Sequence, residues 1–377
     1  TYLAATTLKA FCYQALVDAY GEVPYSEAFD ENNLTPKYDE GKDIYSGILK
    51  ELDDALSHAD ATQTVATNFL FPGENAANWI RFANALKLRI LMRESGVTDV
   101  SSQVAALISE NNFPLNDVAY QGCWKDEPGA MSPYYAEEFS TKWGSTQVNV
   151  IANIALQGTM QTTAYTDPRF AAWFKTNDQG VYTGGISGSN FATSKKYQAS
   201  YWCRPKASWD MPVNLISIFE IKFFIAEYYA MKGDQVNAQQ YYNDAIRASF
   251  AQAGVEGAED CINHNPYDAQ NYKKCIGTAK WIALAGCNDY EAYCELRRLG
   301  YPSFGTVQGS DLYDGSTDAS YAPLKYVPGT LYTPYQVFGQ VGNNKLLQRW
   351  PYPESSTSRN SNAPSFKGYT TPIFWVK

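Results

Sequence analysis

Tryptophans set among amides, carboxylates and a guanidinium are the residues of this chain best placed to do chemistry. Trp124 is followed by Lys125 and Asp126, Trp143 lies near Gln147 and Asn149, Trp202 comes just before Arg204, and Trp209 is joined to Asp210. A flat aromatic face accepts the C–H side of a sugar ring while neighbouring polar groups bind its hydroxyls. Small-molecule sites generally combine apolar walls with a few placed polar groups in this way. Trp124, Trp143, Trp202 and Trp209, with Tyr182, Arg204 and Asp210, are therefore the candidate ligand face. Each has a second reading as a side chain packed against the scaffold, because aromatics dominate cores as well as interfaces.

Other chemistries find less support. The two histidines, His58 at the polar end of an amphipathic helix and His264 in a loop, read as surface residues, with no Ser-His-Asp or Cys-His arrangement around them. GGISGSNF (Gly184–Phe191) is glycine-rich but is not followed by Lys-Ser/Thr, so it is not a phosphate-binding loop. Glycoside hydrolysis needs two carboxylates that can be distant in sequence. Glu137, Glu138, Asp167 and Asp178 are available for it, though as solvated acids or helix caps they need no such role. DLYDGSTD clusters Asp311, Asp314 and Asp318, oxygen ligands that suit a Ca²⁺ ion. The spacing is not that of an EF-hand, and Asp-Gly is also an ordinary turn. No other cofactor is expected. Seven cysteines form no CxxC pair, which argues against zinc. Cys12 and Cys294 read as small buried residues; for Cys123, Cys203, Cys261 and Cys275 the sequence leaves pairing open.

Composition narrows the class. With 377 residues, 45% hydrophobic and 18% charged, the chain can bury a large core. Its net charge of −9 argues against nucleic acid, which requires a basic face. Aromatic content is high, with 29 Tyr and 9 Trp, more than a core tends to need. No apolar run reaches the roughly 18 residues that mark a membrane-spanning helix. The chain opens inside a helical pattern, TLKAFCYQALVDAYG, without Met or leader, and reads as a mature or trimmed fragment.

The elements that must position these residues are mostly helical. Leu8, Phe11, Cys12, Ala15, Leu16 and Ala19 form a stripe ending at Gly21, and Ile44, Tyr45, Ile48, Leu49, Leu52 and Leu56 form a second. NWIRFANALKLRILMRESG turns Trp79, Phe82, Ala83, Leu86 and Ile90 inward, with Arg81, Lys87, Arg89 and Arg93 on a solvated or ion-paired face. A fourth helix runs over about 99–110. From 111 to 210 the helical signal fades, with helix expected only over 149–157 and 168–175. Loops on a rigid scaffold are where binding residues concentrate. The stretch 211–254 then reads as two helices broken at Lys232-Gly233-Asp234, the first apolar on nearly every face, the second capped by Asp234. Residues 269–285 and 288–299 form a last pair, ending at Gly300 and Pro302. The remainder, rich in Tyr, Gly and Pro, is expected to wrap back over the helices. Together these make an all-α chain of four tetratricopeptide-like helix pairs with long loop-rich insertions. It forms one domain over 1–377: two pairs in 1–110, a ligand-binding segment in 111–210, two pairs in 211–300 and a wrapping segment in 301–377.

DAYGEVPYSEAF (Asp18–Phe29) with LTPKYD (Leu34–Asp39), NWIRFANALKLRILMR (Asn78–Arg93), NDYEAYCELRRLGYP (Asn288–Pro302), RWPYPESSTSRN (Arg349–Asn360) and the closing PIFWVK together resemble the SusD/RagB family of outer-membrane nutrient-binding lipoproteins from Bacteroidetes. The blocks occur in the family's order along the whole chain. The resemblance implies a non-catalytic protein, lipid-anchored on the extracellular face of the outer membrane, that captures oligosaccharides for a SusC-like TonB-dependent transporter. In some branches the ligand is a peptide. An alternative of another class is a helical glycoside hydrolase. No family motif reaches the variable loops, so no ligand-binding residue carries over.

Overall fold

The computed structural model describes residues 1–65, 70–71, 75–140, 150–188, 202–312 and 325–377. Trp143, Asp314 and Asp318 lie outside the described residues. The chain divides into two units, Thr1–Val118 with Lys345–Lys377, and Ala119–Asn344.

In the first unit α1 (Tyr2–Tyr20) packs on α2 (Gly41–Ser57) and α3 (Ala77–Glu94), and α3 on α4 (Ser101–Glu110). Helix α2 buries the expected stripe of Ile44, Tyr45, Ile48, Leu49 and Leu52. Helix α1 does not bury its most apolar stripe: Cys12 and Leu16 are exposed, and the inward face is Leu3, Ala4, Ala10, Tyr13 and Val17 with Thr7, Gln14 and Asp18. The cause is Asp18, whose carboxylate collects hydrogen bonds from Tyr45 Oη (2.6 Å), Trp375 Nε1 (2.8 Å) and Gln14 Nε2 (2.9 Å). Arg93 Nε stands 3.6 Å away, with neither side chain reached by solvent. A buried charge must be paired and hydrogen-bonded, and this requirement outranks a hydrophobic stripe in setting the helix face. Arg89 and Arg93 are accordingly buried rather than solvated, while Lys87 pairs with Asp53.

The closing residues return to this unit. Arg349 reaches the carbonyls of Thr371 (3.1 Å) and Pro372 (3.0 Å) and the carboxylate of Glu22 (3.0 Å). Tyr352 Oη and Lys367 Nζ also donate to Glu22. The RWPYP block is thus a clamp, followed by the short helix α14 (Glu354–Arg359).

The second unit holds two further pairs. Helix α8 (Ile218–Met231) packs on α9 (Gln235–Ala253), and α11 (Tyr272–Leu284) on α12 (Asp289–Leu299). Asp234 caps α9 by accepting from Asn237 N, and Gly254 ends it at φ 67°. Their shared core includes Phe219, Phe223, Tyr242, Ile246, Phe250, Ile276 and Leu284. The sparse polar stripe of α8 is itself buried: Arg298 grips Glu227 with two bonds (2.7 and 2.6 Å) and also Glu295, which takes a second cation, buried Lys280, at 2.9 Å. Short helices fill the rest: α5 (Pro133–Glu138), α6 (Ile154–Met160), α7 (Pro168–Trp173), α10 (Ala258–His264) and α13 (Gly309–Leu312). Strands are few, namely β1 (Val118–Tyr120), β2 (Val213–Ile216), and a parallel pair β3 (Phe304–Gln308) and β4 (Leu331–Thr333). The protein is all-α, with the four pairs α1–α2, α3–α4, α8–α9 and α11–α12.

Candidate ligand-binding site

Two cavities stand out among the described residues of the second unit, and the larger has a volume of about 600 Å³, within the range that holds drug-sized ligands. Its wall is built by chain segments stitched through backbone bonds. Ala152 N donates to Cys203 O (2.8 Å), Lys175 N to Arg204 O (2.9 Å) and Lys206 N to Trp173 O (2.6 Å). The adjoining helices are fixed by their caps: Asn153 accepts from Ala155 N, Asp167 from Arg169 N with Pro168 opening α7, and Asn288 from Glu291 N. Asp167 is thus a cap, as its sequence context allowed, and its carboxylate is also gripped by buried Arg169.

Five aromatics line the cavity: Tyr134, Trp173, Phe174, Trp281 and Tyr293. Trp281 packs partly against all three core clusters of the unit, so the core holds it rigid. Trp173 stands where the turn between α11 and α12 comes close. A Cβ added to Gly286 would lie 2.4 Å from Trp173 Cε2, so only glycine lets the backbone reach this indole. Polar groups are few, as a ligand pocket requires. Lys206 donates to Ala171 O at 2.6 Å. The side chains of Asn214 and Asp289 have no hydrogen-bond partner among the described residues. Asp289, in the first turn of α12, is exposed to solvent. Desolvation pushes its carboxyl up to about 6. Burial, and after it the Asp289 charge, pushes the Tyr134 phenol up to about 12.

The second cavity, of about 430 Å³, is lined by Tyr165, stacked on His264 at 4.8 Å, and by the Asp167–Arg169 pair with Cys261 and Thr278. His264 ends helix α10 rather than lying in a loop.

Of the residues singled out from the sequence, Trp202 is a core residue. It is 5% exposed among Ile154, Ile186, Val307, Leu312, Tyr326 and Tyr332, and its ring is spent on packing. Tyr182 packs edge-on against Phe170 in a neighbouring cluster. Arg204 lies 5.0 Å over the Phe139 ring. Trp124 is half-buried with its indole nitrogen turned inward. Trp209 holds Ser132 N through its carbonyl, and Asp210 accepts from Ser208. None of these lines the larger cavity, although Trp209 and Asp210 directly precede its Met211–Asn214 wall. Asp311 accepts from Gln308 N at 3.0 Å, and no cluster of three metal-ligating side chains occurs among the described residues. No disulfide joins the cysteines. The wall residues Trp281, Asp289 and Tyr293 escaped the sequence reading because they sit in helix patterns that read as scaffold.

Repeated helix pairs carrying a pocket of this size, walled by aromatics, define a helical-repeat small-molecule-binding protein. The family model described as "Starch-binding associating with outer membrane" matches residues 1–323. The chain belongs to this SusD-like family of nutrient-binding proteins that associate with the outer membrane. Among solved structures it is similar to a SusD homolog from Bacteroides uniformis, with 20% identity and a TM-score of 0.78, covering 100% of this chain and 81% of that one. A chitin-binding SusD homolog from Flavobacterium johnsoniae gives 21% identity and a TM-score of 0.75, covering 99% and 80%. A third homolog, from Bacteroides vulgatus, gives 19% and 0.69 over 100% and 79%. At these identities the likeness shows the fold. No curated protein matches the chain. No helix among the described residues is long and apolar enough to cross a membrane.

Proposed function

We propose that the protein captures oligosaccharides in the cavity between Trp173 and Trp281 and delivers them, uncleaved, to a SusC-like TonB-dependent transporter. It would do so while lipid-anchored on the extracellular face of the outer membrane. The observation that carries the ligand class is the pocket of about 600 Å³ whose walls include two indoles, two phenols and the Phe174 ring. Family membership supports the partner and the location. Trp209 and Asp210 adjoin the wall in sequence and would extend the ligand face, with Trp124 and Arg204 as further candidates. A binding rather than hydrolytic role is supported by the lining: Asp289 is the one carboxylate among the residues around this cavity, whereas glycoside hydrolysis takes a pair.

Affinity electrophoresis against soluble polysaccharides tests the reading. Retardation by at least one of them, without release of shorter products, is expected. Retardation by none, alongside tight binding of peptides, would move the protein to the peptide-binding branch. Product release abolished by changing one acid would make it a hydrolase.

A further inference from the structure

Trp350 is an indole held rigidly at the surface of the first unit. It is 46% exposed, yet the chain on both sides of it is fixed. Its amide donates to Ala19 O at 2.9 Å. Arg349, just before it, is committed to the Glu22 carboxylate and the Thr371 and Pro372 carbonyls. Beyond it, Pro351 and Pro353 restrict the backbone, and Tyr352 Oη donates to Glu22 O at 3.0 Å. The indole meets Tyr20 edge-to-face at 6.2 Å, Tyr20 stacks on Tyr352 at 5.8 Å, and Tyr352 meets Tyr38 edge-to-face at 5.3 Å. The four rings form one strip, in which the three tyrosines are half-buried and Trp350 stands furthest out. A lone exposed apolar side chain needs no role. An indole immobilised at the end of such a strip is different, because its contact surface is already ordered and binding need not pay for that. Its exposed part, on the order of 100 Å², suits the face of one sugar ring and is far below the ~800 Å² that each side of a protein interface buries.

Resting on the sugar-capture reading, we propose that this strip is a second saccharide site, in which Trp350 carries a ring of a polysaccharide on its exposed surface. The Tyr20 phenol beside it and the exposed carboxylate of Glu354, at the start of α14, are the polar groups for the sugar's hydroxyls. The two sites differ in what they can do alone. The Trp173–Trp281 cavity encloses a short stretch of sugar, whereas a single surface indole binds one ring weakly. A polysaccharide presents the same ring many times, so a weak surface contact adds to its retention by raising the effective concentration of the chain. A short oligosaccharide gains nothing of the kind.

The test compares polymer with oligomer on the whole chain: affinity electrophoresis in a soluble polysaccharide that retards the wild type, and titration calorimetry with a tetramer of the same sugar. Trp350→Ala should weaken the apparent affinity for the polymer by about fivefold or more, as truncating an anchoring tryptophan does. Its affinity for the tetramer should stay at the wild-type value. Trp350→Phe should keep part of the polymer affinity, and an unchanged melting temperature in both variants separates the effect from unfolding. Equal retardation of the wild type and Trp350→Ala overturns the proposal while leaving sugar capture standing. So does an equal loss for polymer and tetramer, which would mean one site rather than two. Unchanged retardation together with lost co-purification of the transporter would make the strip a protein contact and overturn its assignment to sugar. A wild type retarded by no polysaccharide would overturn the proposed function, and this site with it.

Discussion

Replacing Gly286 with alanine asks whether Trp173 is a wall of the ligand cavity. The added Cβ would lie 2.4 Å from Cε2 and 2.7 Å from both Cδ2 and Nε1 of the indole, against ~3.5–4.0 Å for atoms in contact. The ring must therefore retreat by about 1 Å. Gly286 is not among the glycines with positive φ, so alanine suits its backbone and the collision is the only penalty. Overpacking of this kind costs ~1–3 kcal/mol where the neighbour cannot move. Trp173 is only half-buried, so the indole can swing aside, and the stability loss should fall at the lower end of that range. The displaced ring then no longer meets the ligand. Losing about 1–2 kcal/mol of contact weakens binding by ~5–30-fold. Calorimetry with a retained oligosaccharide measures this, with a melting curve run in parallel. The control is the same change in a Trp173→Ala background, where the added methyl meets no indole and neither stability nor affinity should fall further. Unchanged affinity in Gly286→Ala, or an equal extra loss in the Trp173→Ala background, would refute the reasoning.

Two further predictions concern the first unit. Arg93→Met takes a buried cation away from Asp18 and should destabilise by ~3–5 kcal/mol. Trp375→Phe removes one of the donors to the same carboxylate and should cost ~1–2 kcal/mol; denaturant unfolding orders the two, and a neutral Arg93→Met would contradict the account. The Glu22 carboxyl is opposed by burial, but the Lys367 hydrogen bond and the Arg349 charge outweigh it and hold the group below the usual carboxylate range. Because the folded pKa is the lower one, the unfolded chain takes up the proton first. The stabilisation is therefore complete above the ordinary glutamate pKa and is lost as pH falls through the folded value. Melting temperatures followed down into that acid range should fall less steeply for Glu22→Gln than for the wild type, and identical slopes would contradict this.

Much of the scaffold was legible because helix periodicity and caps are local signals. The Asp234 cap, the Gly300 stop and the α2 stripe all lie where their residue types placed them. Helix α1 misled because the carboxylate of Asp18 is satisfied by Tyr45, Arg93 and Trp375, residues 27 to 357 positions away. No periodicity carries that information. The site failed for a related reason. A tryptophan in a loop and one in a helix look alike in sequence, and here a loop residue, Trp202, fills the core while a helix residue, Trp281, also lines the pocket.

The most direct measurement is a crystal structure of the chain with an oligosaccharide that retards it in affinity electrophoresis. The account predicts an intact sugar seated between Trp173 and Trp281, with a ring or substituent within hydrogen-bond reach of Asp289. A ligand found instead in the Tyr165–His264 cavity, or only against Trp124 and Trp209 with the Trp173–Trp281 cavity empty, would contradict it.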